Sequence, residues 1–178
     1  MGAQEGIEHV VVLMLENRSF DCMFGALYPG REGFDNLTGD ETNPYAQAGG
    51  TTTAIRVWND SGMSAATATI PDPDPGEAFT DINQQLFGTA APGNDPPPMS
   101  GFVQNYMAQK PDGTRAPDDQ TIMHHFTPVQ VPVITQLATS FGVSDQWYAS
   151  APCQTWPNRF FVHSATCAGY VDNDRLPK

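Results

Sequence analysis

The segment from Ile7 to Leu15, IEHVVVLML, constrains the fold more than any other part of this chain. It is almost continuously apolar and rich in β-branched residues, with no alternation that would leave one face to water. That pattern predicts a strand covered on both faces, as in a parallel sheet. Its uncharged part, Val10 to Leu15, is far shorter than the roughly 20 residues needed to cross a bilayer, and no other run is longer, so no transmembrane segment is expected. His9, inside this strand, is expected to be a core histidine with its ring satisfied rather than a ligand. After Glu16-Asn17-Arg18, Ser19 is placed as an N-cap. Phe20, Met23, Phe24 and Leu27 then follow at helical spacing, giving strand, turn and helix.

From Tyr28 to Pro75 the chain is rich in Gly, Pro, Asn, Asp and Thr, and reads as irregular apart from a short strand candidate at Thr53 to Trp58. Gly and Pro number 16 each. They concentrate between about 30 and 120, so the buried core is expected mostly from the two ends. Helices are predicted at Glu77 to Phe87, before Gly88, and at Met99 to Met107, separated by the Pro-rich stretch Pro92 to Pro98. Another begins near Pro132, with Val133, Ile134, Leu137, Ala138 and Phe141 on one face and Gly142 ending it. A second strand is expected at Val143 to Tyr148. The loop Ala149 to Gln154 then leads to Thr155, read as the N-cap of a helix with Pro157 in its first turn.

Two strands, each followed by a turn and a helix, indicate an α/β fold, but two covered strands leave faces and edges open. Residues beyond Lys178 are expected to complete the sheet. Net charge is −12, with 20 acidic against 8 basic residues, so the long-range field repels polyanions and nucleic-acid binding is not expected. The start, Met1 to Gly6, has neither the positive region nor the apolar stretch of a secretory signal, which leaves localisation open. Cys22, Cys153 and Cys167 permit at most one internal disulfide and leave one thiol over.

In open α/β sheets, sites lie beyond the carboxyl ends of strands, where two polar clusters fall: Glu16-Asn17-Arg18, and Asp145 through Arg159. Both can face one crevice. Glu16 and Asn17 offer a carboxylate and an amide oxygen, donors suited to Ca²⁺, Mg²⁺ or Mn²⁺, and a carboxylate also serves Zn²⁺; equally, the pair suits a polar turn at a strand end. Thr155 at a helix start has a hydroxyl beside free N–H groups, which suits a phosphate ligand or a nucleophile as well as an ordinary cap. Asn158 and Arg159 can hydrogen-bond a phosphoryl oxygen. The adjacent His124 and His125 cannot present both rings to one face, so no joint metal site is expected there. The sequence contains no G-x-S-x-G elbow and no Gly-rich phosphate loop.

These residues stand in a recognisable context. The opening IEHVVVLMLENRSFDCMFG resembles the N-terminal signature of the phosphoesterase family that contains bacterial phosphatidylcholine-type phospholipases C and acid phosphatases. FTPVQVPVITQLATSFGVSDQWYASAPCQTWPNRFFVHSAT is similar to that family's nucleophile region, and DPGEAF and MSGFVQNY resemble its linking segments. The resemblance implies an alkaline-phosphatase-like three-layer α/β sandwich, incomplete here. Residues 1–178 would be the N-terminal half of such a phosphoesterase, the N-terminal part of its catalytic domain, with an irregular Gly/Pro-rich insertion at about 30–120. It implies Thr155 as nucleophile, Glu16, Asn17 and Thr155 as ligands of a divalent metal, and Asn158 and Arg159 as substrate-binding groups. The implied activity is hydrolysis of phosphodiesters such as phosphatidylcholine, with a phosphomonoesterase or a non-catalytic fragment as alternatives. The family is often exported. A later segment resembling Y-D-E-H-G-G-F-Y-D-H, which carries further ligands in the family, does not occur in these 178 residues.

Overall fold

The computed structural model describes residues 6, 8–60, 62, 71, 73–93, 95–109 and 118–173. Within them the chain is mixed α/β. Helix α1 (Phe20–Phe24) is followed by strands β1 (Thr42–Ala46) and β2 (Thr52–Arg56), then α2 (Phe79–Phe87) and α3 (Phe102–Met107). A single 3₁₀ turn (Thr121–Met123), α4 (Pro132–Ser140) and α5 (Thr155–Ser164) complete the order.

The sheet is an antiparallel hairpin, registered from Thr42 opposite Arg56 to Ala46 opposite Thr52. Its loop closes through Gln47 N–H donating to Thr51 O and Gly50 N–H donating to Gln47 O. Gly49 and Gly50 lie at φ +114° and +87°, where a side chain would clash with its own backbone. Beyond β2 the chain stays extended, and Trp58 bridges His124 in parallel, with Trp58 N–H on Met123 O and His125 N–H on Trp58 O.

The core forms where this ribbon meets α3. Ile55, Val103 and Met123 are buried together, with Tyr45, Val57, Trp58, Phe102, Met107 and Ile122 packed around them. Each such buried side chain contributes about 1.5–3 kcal/mol. A buried amide holds hairpin and helix in register: Asn43 Nδ2 donates to Met99 O at 2.7 Å, and Val103 N–H donates to Asn43 Oδ1 at 3.0 Å. Helices α2 and α3 meet at Gly101, whose N–H donates to Gln85 O. A Cβ at Gly101 would lie 1.8 Å from the Gln84 carbonyl oxygen, so only glycine allows this approach. Asn105, also buried, spans the same contact by donating to Asp81 Oδ1 and Gln84 Oε1 and accepting from Gln85 Nε2.

Several local expectations hold. Ser19 caps α1 by accepting from Cys22 N–H, Gly88 ends α2 in the left-handed region, and Pro132 opens α4. Others are corrected. The expected strands at Ile7–Leu15 and Val143–Tyr148 are not formed at any described residue; Ile7 lies outside the described residues. Val10, Val11 and Leu13 are 79–91% exposed, and Trp147 and Tyr148 are exposed too. The reason is physical: a central strand exists only through its ladder partners, and among the described residues none lies beside either segment. His9 is likewise exposed rather than buried. The main buried cluster lies between Ile55 and Met123 rather than at the two ends, because the stretch expected to be largely irregular supplies the hairpin.

Two substitutions test this arrangement. Gly101→Ala must push α2 from α3 and should lower unfolding free energy by about 1–3 kcal/mol in denaturant titration. Val11→Asp, at a site already in water, should leave it unchanged within about 0.5 kcal/mol.

Candidate active site

Glu16 and Asn17 follow the exposed apolar segment, and Arg159 lies 143 positions further along the chain from Glu16. The structure brings these clusters together. Arg159 Nε and Nη2 both donate to Glu16 Oε1, at 3.0 and 2.7 Å. Arg159 is one helical turn after Thr155 on α5, so the two side chains share a helix face, and the ion pair brings the Glu16 carboxylate to that face.

Asn17 faces a different partner. Its Nδ2 donates to Glu77 Oε1 at 2.9 Å. Glu77 sits just before α2 and was not singled out in the sequence, where it is one carboxylate among many at the edge of a Pro-rich loop. Burial pushes its carboxyl above the ordinary glutamate range, and the nearby Asp74 and Glu16 carboxylates push it further. Glu16 thus meets an arginine, and its neighbour Asn17 meets a second carboxylate.

Thr155 is the first helical residue of α5, and Gln154, in extended conformation, is the N-cap; the expected cap is displaced by one residue. Thr155 is half-buried. Few donors remain at this helix start. Trp156 N–H donates to Asn173 Oδ1 at 2.8 Å, and position 157 is proline. The Thr155 N–H has no hydrogen-bond acceptor among the described residues.

Asn158, expected to face substrate, is turned to the loop before the helix. Its Nδ2 donates to Cys153 O at 2.8 Å and Ala151 O at 3.2 Å, and its Oδ1 accepts from Ala151 N–H. It therefore fixes the path of the chain into Thr155. His124 and His125 are both buried and have different partners. His124 Nε2 lies 3.1 Å from Asp60 Oδ1, and His125 Nε2 lies 3.3 Å from Asn59 Nδ2.

The donor chemistry at Glu16, Asn17 and Thr155 is all hard oxygen, which fits a divalent cation, and the Arg159 guanidinium shows that Glu16 is placed to hold positive charge. The set is partial: no group of three or more His, Cys, Asp or Glu side chains able to hold a metal gathers among the described residues.

The sequence pattern of the phosphoesterase family matches residues 7–175. Non-specific phospholipase C1 of Arabidopsis thaliana is 40% identical over 170 residues, covering 96% of this chain and 30% of that protein. Phospholipase C B of Mycobacterium tuberculosis is 32% identical over 178 residues, covering 94% and 30%. The non-hemolytic phospholipase C of Burkholderia pseudomallei is 29% identical over 174 residues, covering 97% and 22%. The chain spans under a third of the length of these relatives.

The Glu16–Arg159 contact makes a direct prediction. With side chains 31% and 39% exposed, the pair is screened by water. A double-mutant cycle of Glu16→Gln and Arg159→Gln, read by denaturant unfolding, should give a coupling of about 0.2–1 kcal/mol that shrinks in high salt. Zero coupling at low salt would show that the two clusters do not meet.

Proposed function

The chain belongs to the phosphoesterase family, and we propose that it contributes the nucleophile to a site that hydrolyses phosphodiesters, with a phospholipid such as phosphatidylcholine as substrate. The observation that carries this reading is the ion pair joining Glu16 to Arg159, since it links the end of the first apolar segment to the helix that begins at Thr155. The names of the relatives support the phospholipid.

In this reading the Thr155 hydroxyl attacks phosphorus in line, the bond to the leaving alcohol breaks, and a phosphothreonine is formed. Water then cleaves it. The Thr155 N–H and the Arg159 guanidinium are the groups here that can hold phosphoryl oxygens, and Asn158 keeps the loop at Ala151 and Cys153 in place so that the hydroxyl is aimed. Glu16, Asn17 and Thr155 would hold a divalent ion, whether Ca²⁺, Zn²⁺, Mg²⁺ or Mn²⁺, which when bound supplies polarisation of the phosphoryl oxygen and a lower hydroxyl pKa. Asn17, already oriented by Glu77, would present its Oδ1 to that ion. In this reading residues 7–15 and 143–148 are strands of an alkaline-phosphatase-like sandwich, which accounts for their apolar sequence and for the exposure of Val10, Val11, Leu13, Trp147 and Tyr148.

The substrate charge follows from the surroundings of Arg159. A phosphomonoester is a dianion, and Glu16, Glu77 and Asp74 make this a poor place for one. A diester carries a single negative charge and suits it better.

Because Gln154 rather than Thr155 is the cap, the hydroxyl can be removed without removing a capping bond. In a preparation with measurable turnover of p-nitrophenylphosphorylcholine, Thr155→Ser should retain activity, and Thr155→Ala should lower kcat by several orders of magnitude with an unchanged melting curve. Near-parental turnover by the alanine variant would remove Thr155 from the chemistry.

A further inference from the structure

Helix α5 is followed by a return of the chain to the helix start. Ala165, at φ 59°, ends the helix, and a turn from Cys167 to Tyr170 follows, closed by Tyr170 N–H donating to Cys167 O at 3.0 Å. Ala168 and Gly169 both take positive φ within it, at 52° and 82°. The next residue, Val171, accepts from Gln154 N–H at 3.1 Å. Asn173 then binds on both sides of the same point: its N–H donates to Gln154 Oε1, and its Oδ1 accepts from Trp156 N–H. Gln154 is thus the junction between the loop entering α5 and the segment leaving it.

The two cysteines flank that junction. Cys153 immediately precedes Gln154. Cys167 opens a turn whose ends approach to within about 7 Å, and the residue after that turn is hydrogen-bonded to Gln154. Cys22 is occupied elsewhere: it lies in α1, where its sulfur accepts from Arg18 Nη1 at 3.6 Å.

We propose that Cys153 and Cys167 are a disulfide pair that ties the entry of α5 to its exit, with Cys22 as the odd thiol. All three cysteines are free in this structure, so the bond forms by oxidation. A low-molecular-weight disulfide such as oxidised glutathione suffices. The half-buried Cys167 sulfur attacks one sulfur of the reagent, the reagent's S–S bond breaks, and one thiolate leaves. The buried Cys153 sulfur then attacks the Cys167 sulfur of the mixed disulfide and expels the second thiolate. The two cysteines lose two protons and two electrons, and the reagent is reduced to two thiols. The closed loop contains the whole of α5, including Thr155 and Arg159, and restricts its unfolded states. The bond is independent of whether Thr155 is a nucleophile.

Trypsin reads the pairing directly, because Arg31, Arg56 and Arg159 separate the three cysteines. Cys22 falls in the peptide 19–31, Cys153 in 116–159 and Cys167 in 160–175, since trypsin cleaves after Arg115, which precedes Ala116. The monomeric chain is incubated with oxidised glutathione, free thiols are alkylated, and the digest is weighed. The expected result is 116–159 joined to 160–175, with Cys22 alkylated. A rise in melting temperature of several degrees should accompany it, reversed by dithiothreitol and absent in Cys167→Ser. A link involving Cys22, a dimer between chains, alkylation of both Cys153 and Cys167, or arrest at glutathione adducts would each overturn the pairing. The peptide map needs no variant, so a folding defect in Cys167→Ser leaves the outcome readable.

Discussion

The buried amide of Asn43 is the contact on which the ordered part of this chain depends. One side chain donates to the carbonyl before α3 and accepts from the second residue within it, so the hairpin can pack on α3 in only one register. Losing either bond would leave a buried polar group unpaired at about 1–3 kcal/mol. With that register fixed, Ile55, Val103 and Met123 close on one another. Gly101 then sets how near α2 comes to α3, and the Asn105 amide locks the approach with three side chains of α2.

The candidate site hangs from this core by a short sequence of polar contacts. Glu77, two residues before α2, receives the Asn17 amide; Glu16, its neighbour in sequence, receives Arg159; and Arg159 belongs to the helix that starts with Thr155. Each link is partly exposed, and an exposed ion pair contributes about 1 kcal/mol at most. The site is therefore placed by its partners in chemistry more than by packing. Burial, and after it the Asp74 and Glu16 carboxylates, raise the proton affinity of Glu77, and the hard oxygens of Glu16 and Asn17 are of the type that suits a divalent cation.

How far the sequence discloses this depends on the range of each cause. Caps, prolines at helix starts and a terminating glycine act within one turn, and Ser19, Pro132 and Gly88 are all legible. The pairing of β1 with β2 is not. Asn43 and Pro44 are poor strand formers, and their strand exists because Asn43 satisfies α3 and because the Gly49-Gly50 turn returns the chain. The opposite error arises at Ile7–Leu15 and Val143–Tyr148, where the apolar pattern is that of a strand and no ladder is present among the described residues. Composition records what a segment needs to bury; it does not record what buries it. At the site, hydroxyl, carboxylate and guanidinium are legible as residue types in family context, whereas Glu77 acquires meaning only once Asn17 lies against it.

A consequence for α5 follows from the weakness of those links. The helix buries little along its length, since Pro157 is its only fully covered residue and Trp156 and Val162 face water. Its position is held by the Glu16 pair at one side and by the hydrogen bonds around Gln154 at its start. The nucleophile candidate therefore sits on an element whose order depends on polar contacts that water can replace. A helix placed this way gains most from a covalent tie at its entry, where Asn158 and Asn173 already converge on the loop and on the first turn. The same reasoning explains why the two asparagines matter to Thr155 without touching its hydroxyl: they fix where the helix begins, and the hydroxyl's direction follows from that start.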